Sequence, residues 1–164
     1  MYYTAKDILS SPAEAIIVPV RLGSKKITRL QKRIITLCGD DYMEDLIHDI
    51  KQGALAIELP SFYVPAKEVS PRIIINFPIR MKNYTPGEDL AEFVTNLRAL
   101  FSMCESWNIT SFGIGELENG LGWDQLENLV MRFETSREAQ RVEVWYHPPE
   151  EKDEMVEEQT LTHA

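Results

Sequence analysis

Two short runs, Ala15–Val20 (AIIVPV) and Arg72–Phe77 (RIIINF), are almost unbroken in apolar side chains. A strand with one wet face alternates apolar and polar residues. A run of strand length without that alternation is covered on both faces, as in the middle of a parallel sheet. Pro19 removes one ladder donor and suits the exit end of its strand. Helical spacing lies between and after these runs. Lys25–Leu37 places Ile27, Leu30, Ile34 and Leu37 on one face, and Gly39 follows as a stop. Asp40–Gly53 does the same with Met43, Leu46, Ile47 and Ile50. A third helix carries Leu90, Phe93, Val94, Leu97, Phe101 and Cys104 to about Trp107. It opens on Thr85-Pro86-Gly87-Glu88, a capping box with proline at the first helical position. Trp123, Leu126, Leu129, Val130 and Phe133 mark a fourth. Further strands are expected at Tyr2–Thr4, Ala54–Leu59, Ser61–Val64, Ser111–Ile114 and Arg141–Tyr146. The alternation predicts an α/β fold with helices on both faces of a largely parallel sheet. Ligands on such sheets bind at strand carboxyl ends. The candidate loops follow Val20, Phe77 and Gly113.

A chain of 164 residues, 44% hydrophobic and 26% charged, forms one domain with a single core. No apolar run reaches the length of a membrane span, and MYYTAKD lacks the basic and apolar regions of a signal peptide. Cys38 and Cys104 stand singly in helical patterns and read as free thiols of a reducing compartment. The expected location is cytoplasmic, in a bacterium or a phage-infected host. The net charge of −9 argues against general nucleic-acid binding. From Glu150 to Ala164 there are six acids and one lysine, following His147-Pro148-Pro149. Residues 149–164 are therefore expected to form an acidic, disordered tail behind a folded unit of residues 1–148. An arm for a protein partner is the other reading of that tail.

The stretch Ile109–Val130 (ITSFGIGELENGLGWDQLENLV) carries chemistry. Gly113, Gly115, Gly120 and Gly122 fall within ten residues of a chain with eight glycines. Glycine lets the backbone take positive φ and lets a ligand come close. A loop of this kind ahead of a helix can aim several N–H groups at an anion, and a phosphate-bearing ligand follows. A plain strand-to-helix turn would have the same composition.

Asp7–Gly23 (DILSSPAEAIIVPVRLG), Ile73–Arg80 (IIINFPIR) and Ile114–Leu129 (IGELENGLGWDQLENL) together resemble the macro domains. The branch they resemble includes terminal ADP-ribose protein glycohydrolases and DNA ADP-ribosyl-glycohydrolase antitoxins. The resemblance covers roughly Met1 to Pro148. It implies a three-layer α/β/α fold with a mixed, largely parallel central sheet, no cofactor and no metal. The ligand implied is ADP-ribose or an ADP-ribosylated macromolecule. Asp7 matches the acidic residue that hydrogen-bonds the adenine amino group, and Ile8 follows it as usual. Gly115 and Gly120 persist in the third loop. Elsewhere the chain departs from the family. Val18 and Arg21 stand where a pair of asparagines approaches the distal ribose. Arg80 replaces a lysine implicated in catalysis. Asn119 takes the place of a catalytic aspartate, and Glu116 and Glu118 replace small or neutral residues.

Arginine stays charged at accessible pH and is no substitute for a lysine amine. The Asn119 amide takes up no proton near neutrality and cannot act as a general base. Arg80 and Asn119 are thus positions to test rather than assigned catalysts. The implied ligand-binding set is Asp7, Ile8, Arg21, Arg80, Gly115, Glu116, Asn119 and Gly120. Arg21 and Arg80 could each clamp a phosphate, or could pair with Glu116 and Glu118 and fill the pocket. Tyr84 is a candidate for stacking on adenine or ribose. His48, His147 and His163 read as bystanders, and Ser10-Ser11 as a turn without triad context. Three functions remain open. They are a non-hydrolytic ADP-ribose module, a hydrolase or phosphatase with altered residues, and a degenerate domain that binds a protein.

Overall fold

A computed structural model describes residues 2–65, 73–80, 90–136 and 142–149. The capping box at 85–88, Tyr84 and the acidic segment 150–164 lie outside them. Among the described residues there are six strands and four α-helices: β1 Tyr2–Tyr3, β2 Ala15–Arg21, α1 Arg29–Cys38, α2 Asp40–Lys51, β3 Ser61–Tyr63, β4 Ile73–Ile79, α3 Ala91–Ser106, β5 Ser111–Ile114, α4 Trp123–Glu134 and β6 Glu143–Tyr146. These strands form one sheet in the order β1-β6-β5-β2-β4-β3, and among them the β3–β4 pair is antiparallel and the others parallel.

Two cores flank this sheet. On one face Ile16, Val18, Val20 and Ile74 pack with Ile34 of α1 and with Tyr42 and Leu46 of α2. On the other, Ala15, Ile17, Ile75 and Phe77 pack with Phe93, Leu97, Leu100 and Phe101 of α3 and with Leu126 and Val130 of α4. β2 is buried along Ala15–Val20 and β4 along Ile74–Ile79, so both are covered on two sides. The fold is a three-layer α/β/α arrangement around a mixed, largely parallel sheet.

Three local expectations are corrected. Residues 54–59 form a turn with an Ala56–Leu59 bridge instead of a strand. The carbonyl of Asp49 accepts from both Ala54 and Leu55, and Glu58 sits at φ +67, which a strand cannot hold. Helix α1 starts at Arg29 rather than Lys25. Thr28 caps it, accepting from the Gln31 amide at 3.2 Å and donating to the Pro19 carbonyl at 2.8 Å. The Thr28-x-x-Gln31 spacing carried that signal. Helix α2 is rotated from its expected face, with Tyr42 and Leu46 buried and Ile47 and Ile50 exposed. The Tyr42 hydroxyl donates to Asn76 Oδ1 at 2.8 Å, and that tertiary bond sets the rotation.

Candidate functional site

Strand order places the site. From β2 the chain crosses to β4 on one side, then returns to β5 on the other side of β2. The β2–α1 connection therefore leaves toward one face and the β5–α4 connection toward the opposite face. A crevice opens between loops that diverge in this way at the carboxyl edge of a parallel sheet. Those are two of the three loops singled out above. The third follows β4, where Arg80 comes next to the Ile79–Arg21 register pair.

The first turn of α1 meets the β5–α4 loop across the crevice. The Arg29 backbone N–H donates to Glu118 Oε2 at 2.8 Å, and its Nε donates to Glu118 Oε1 at 3.3 Å. Its Nη2 lies 3.5 Å from Glu116 Oε2. One turn further along, Arg33 reaches Asp7 with two parallel bonds, Nη1 to Oδ1 at 2.7 Å and Nη2 to Oδ2 at 2.5 Å. These charge-assisted bonds hold the Asp7 carboxyl below its ordinary pKa and push the Arg33 guanidinium above its own.

Among the described residues the arginine that pairs with Glu116 and Glu118 is thus Arg29, and the alternative in which Arg21 and Arg80 pair with them is not the arrangement found. Arg80 is exposed, and its Nε lies 3.9 Å from Glu92 Oε1. Arg21 ends β2 with a buried Nε that has no partner. Val18 is fully buried against the α1–α2 layer, so that position offers the crevice no side chain. Asn119 is 2% exposed, and its Oδ1 accepts from the Leu121 amide at 3.2 Å, shaping the loop. Gly120 takes φ +95, a region that favours glycine. At Gly115 an added Cβ would stand 3.5 Å from Ile8 Cδ1 and 3.5 Å from the His147 carbonyl oxygen, so Ile8 closes directly on the loop. The structure brings together Ile8 with Gly115, Asp7 with α1, and Glu116 with Glu118.

Arg29 and Arg33 escaped the sequence reading, yet a signal existed. Arg29, Lys32 and Arg33 give α1 three basic residues and no acid, in a chain of net charge −9. Such a helix finds its counter-charges in other elements. His147 was also misjudged, since it is buried. Its Nδ1 faces the Lys6 carbonyl at 2.9 Å, so Nδ1 is the protonated nitrogen. Its Nε2 accepts from the Ser11 hydroxyl at 2.9 Å. Ser11 is 6% exposed and Gly113 packs against it, so the pair is a tie holding residues 6–11, which include Asp7 and Ile8.

Burial holds the His147 imidazole below its ordinary 6.5, with the Lys6 carbonyl and Asp7 opposing that shift. The unfolded chain takes up this proton near 6.5 and the folded chain resists it. The contribution to stability is complete above that pH and declines as pH falls below it, by up to ~1.4 kcal/mol per pH unit for one proton. Asp7 acts in the same direction at lower pH. Denaturant unfolding between pH 7.5 and 5.5 should show this slope, and His147→Gln should flatten it. An equal slope in the variant would assign the proton elsewhere.

Comparison with solved structures agrees with this architecture. The chain aligns with the macrodomain of Mycobacterium tuberculosis DarG at a TM-score of 0.70 and 24% identity, over 90% of this chain and 97% of that one. It aligns with the macrodomain of Thermus aquaticus DarG at 0.67 and 21%, with the same coverage. This is the macrodomain fold. A Thermosipho africanus DarTG, solved in complex with ADP-ribose, matches at 0.68 and 18% identity, over 91% of this chain and 41% of that one. No family model matches the sequence, and no curated protein matches it. At these identities the macrodomain likeness rests on backbone path, and the charged pairs of the crevice must be read from this chain alone. Among the described residues no helix is long and apolar enough to cross a membrane.

Proposed function

We propose that this chain binds ADP-ribose or a related adenine nucleotide, free or attached to a macromolecule, without the lysine/aspartate type of hydrolysis. One observation carries the reading. The β2–α1 and β5–α4 loops face each other at the switch point of a macrodomain fold, with Asp7, Ile8 and Gly115 grouped beside them. Backbone N–H groups and an apolar contact at Ile8 bind a nucleotide without catalytic groups. Turnover by the lysine/aspartate route asks for an amine that loses its proton and a carboxylate that accepts one. Arg80 and Asn119 supply neither. The chemistry suits a reader or sensor in a reducing cytoplasm, with the acidic segment 150–164 as a candidate contact for a protein. The ion pairs Arg29–Glu118 and Arg33–Asp7 favour a second reading, in which the pocket is filled by side chains and only protein contacts remain.

Calorimetry with ADP-ribose separates the two. Saturable binding is expected. Asp7→Ala should weaken it roughly 5- to 30-fold, or about 1–2 kcal/mol for a charge-assisted hydrogen bond. Mono-ADP-ribosylated protein or DNA incubated with the wild type should release no free ADP-ribose. Release abolished by Asn119→Ala would make the protein a hydrolase. Absence of binding would leave the protein-contact reading.

A further inference from the structure

Both oxygens of the Asp7 carboxylate are already engaged. Arg33 Nη1 donates to Oδ1 at 2.7 Å and Nη2 to Oδ2 at 2.5 Å, a planar two-point fork. The Leu9 and Ile8 amides bear on the same carboxylate and favour its charge. Four donors thus converge on a group with about four acceptor sites. Neither partner is sealed in the interior, since the Arg33 side chain is 47% exposed and that of Asp7 48%. The two also differ in freedom. Asp7 belongs to a tied segment. Its carbonyl accepts from the Ser10 amide at 2.8 Å, the Ile8 carbonyl accepts from the Ser11 amide at 3.1 Å, and His147 holds Lys6 and Ser11 on either side. Arg33 stands on the exposed side of α1, and among the described residues its guanidinium has no other carboxylate partner. Its long stem can swing the guanidinium into water while the carboxylate stays in place.

We propose that Arg33 sets how strongly this crevice selects an amino-bearing base, because such a base gains the Asp7 carboxylate only by loosening the Arg33 fork. The proposal rests on the ADP-ribose reading, in which Asp7 accepts from the adenine amino group. Each ligand bond to the carboxylate then costs a guanidinium bond, so the net gain is smaller than at an unpaired carboxylate. A ligand without the amino group leaves the fork in place and loses nothing. Removing the guanidinium therefore strengthens binding of the amino-bearing ligand alone. Arg33 acts through Asp7, as a positioning residue that determines specificity.

The test compares, by calorimetry on the whole chain, ADP-ribose with the analogue in which hydrogen replaces the adenine amino group. Arg33→Met is the main variant, because it keeps the apolar stem and removes the guanidinium. It should widen the preference for ADP-ribose about fivefold, the size of a half-exposed charged contact, and leave the affinity for the analogue unchanged. Arg33→Lys keeps the charge but cannot form the fork, and its preference should fall between the two. Lys32→Met removes an equal charge from the same helix and should match the wild type. In an Asp7→Ala background, Arg33→Met should widen nothing. An unchanged preference, or weaker binding of both ligands alike, overturns the proposal while the ADP-ribose reading stands. Binding of neither ligand by any of these proteins discards the reading and the proposal with it. If Arg33→Met does not fold, the direction of the change in Arg33→Lys decides.

Discussion

Replacing Gly113 with alanine should cost about 3 kcal/mol of folding stability, the upper part of the range for overpacking a well-filled site. Gly113 lies in β5, with β2 on one side and β6 on the other. An added Cβ would stand 2.6 Å from Ser11 Oγ, 3.2 Å from Ser11 Cβ and 3.0 Å from His147 Nε2. None of these groups is a flexible chain end. Moving Ser11 would break its bond to His147 and the 3.3 Å bond from the Ala13 amide, both buried. Polar groups left unpaired in such a place cost about 1–3 kcal/mol. The expected fall in Tm is roughly 6–12 °C. The damage should extend to ligand binding, because residues 6–11 carry Asp7 and Ile8. Thermal and denaturant unfolding check the first part. A double-mutant cycle with Ser11→Ala checks the cause, since removing the hydroxyl should recover part of the loss. A Gly113→Ala protein as stable as wild type would mean that residues 6–11 yield without cost.

Asn76→Ala should be about as damaging, through polar rather than steric terms. Asn76 is fully buried in β4, accepts from the Tyr42 hydroxyl at 2.8 Å and donates to Ser61 Oγ at 3.2 Å. Truncation strands a phenol and a hydroxyl in a dry layer and opens a small cavity. The expected cost is about 3 kcal/mol. Tyr42→Phe removes one bond and one polar group together and should cost about 1–2 kcal/mol. The two substitutions should combine to less than their sum, because they share one network. Strict additivity in urea unfolding would refute that coupling. Asn76 belongs to the INFP motif that carried the family resemblance. Its place in this chain is the interior between β4, β3 and α2, away from the crevice.

The layered fold was legible in the sequence because burial leaves a local trace. Ala15–Val20, and Ile73–Phe77 apart from Asn76, are apolar on both sides of the strand, and such a run requires two covered faces. Phe93, Leu97, Phe101 and Cys104 recur at helical spacing because one face of α3 meets the sheet. The glycines of the β5–α4 loop were visible for a similar reason, since positive φ and close approach restrict the residue type. Weaker local signals failed where a distant contact outweighed them. The α2 face turned to satisfy Tyr42 and Asn76, 34 residues apart.

Charge pairing left no such trace. Arg29 and Glu118, Arg33 and Asp7, and Ser11 and His147 are 89, 26 and 136 residues apart. Nothing periodic connects their positions, and each side chain alone suits solvent as well as a partner. Sequence by itself determined the buried strands β2 and β4, the four helical segments and the glycine-rich loop after β5, but neither the turn at 54–59 nor the start of α1. Only the tertiary structure decided which arginine answers which carboxylate at the crevice. Electrostatic and hydrogen-bonding partners depend on distances of a few ångströms between segments, and the strand order creates those distances after the local pattern has been spent.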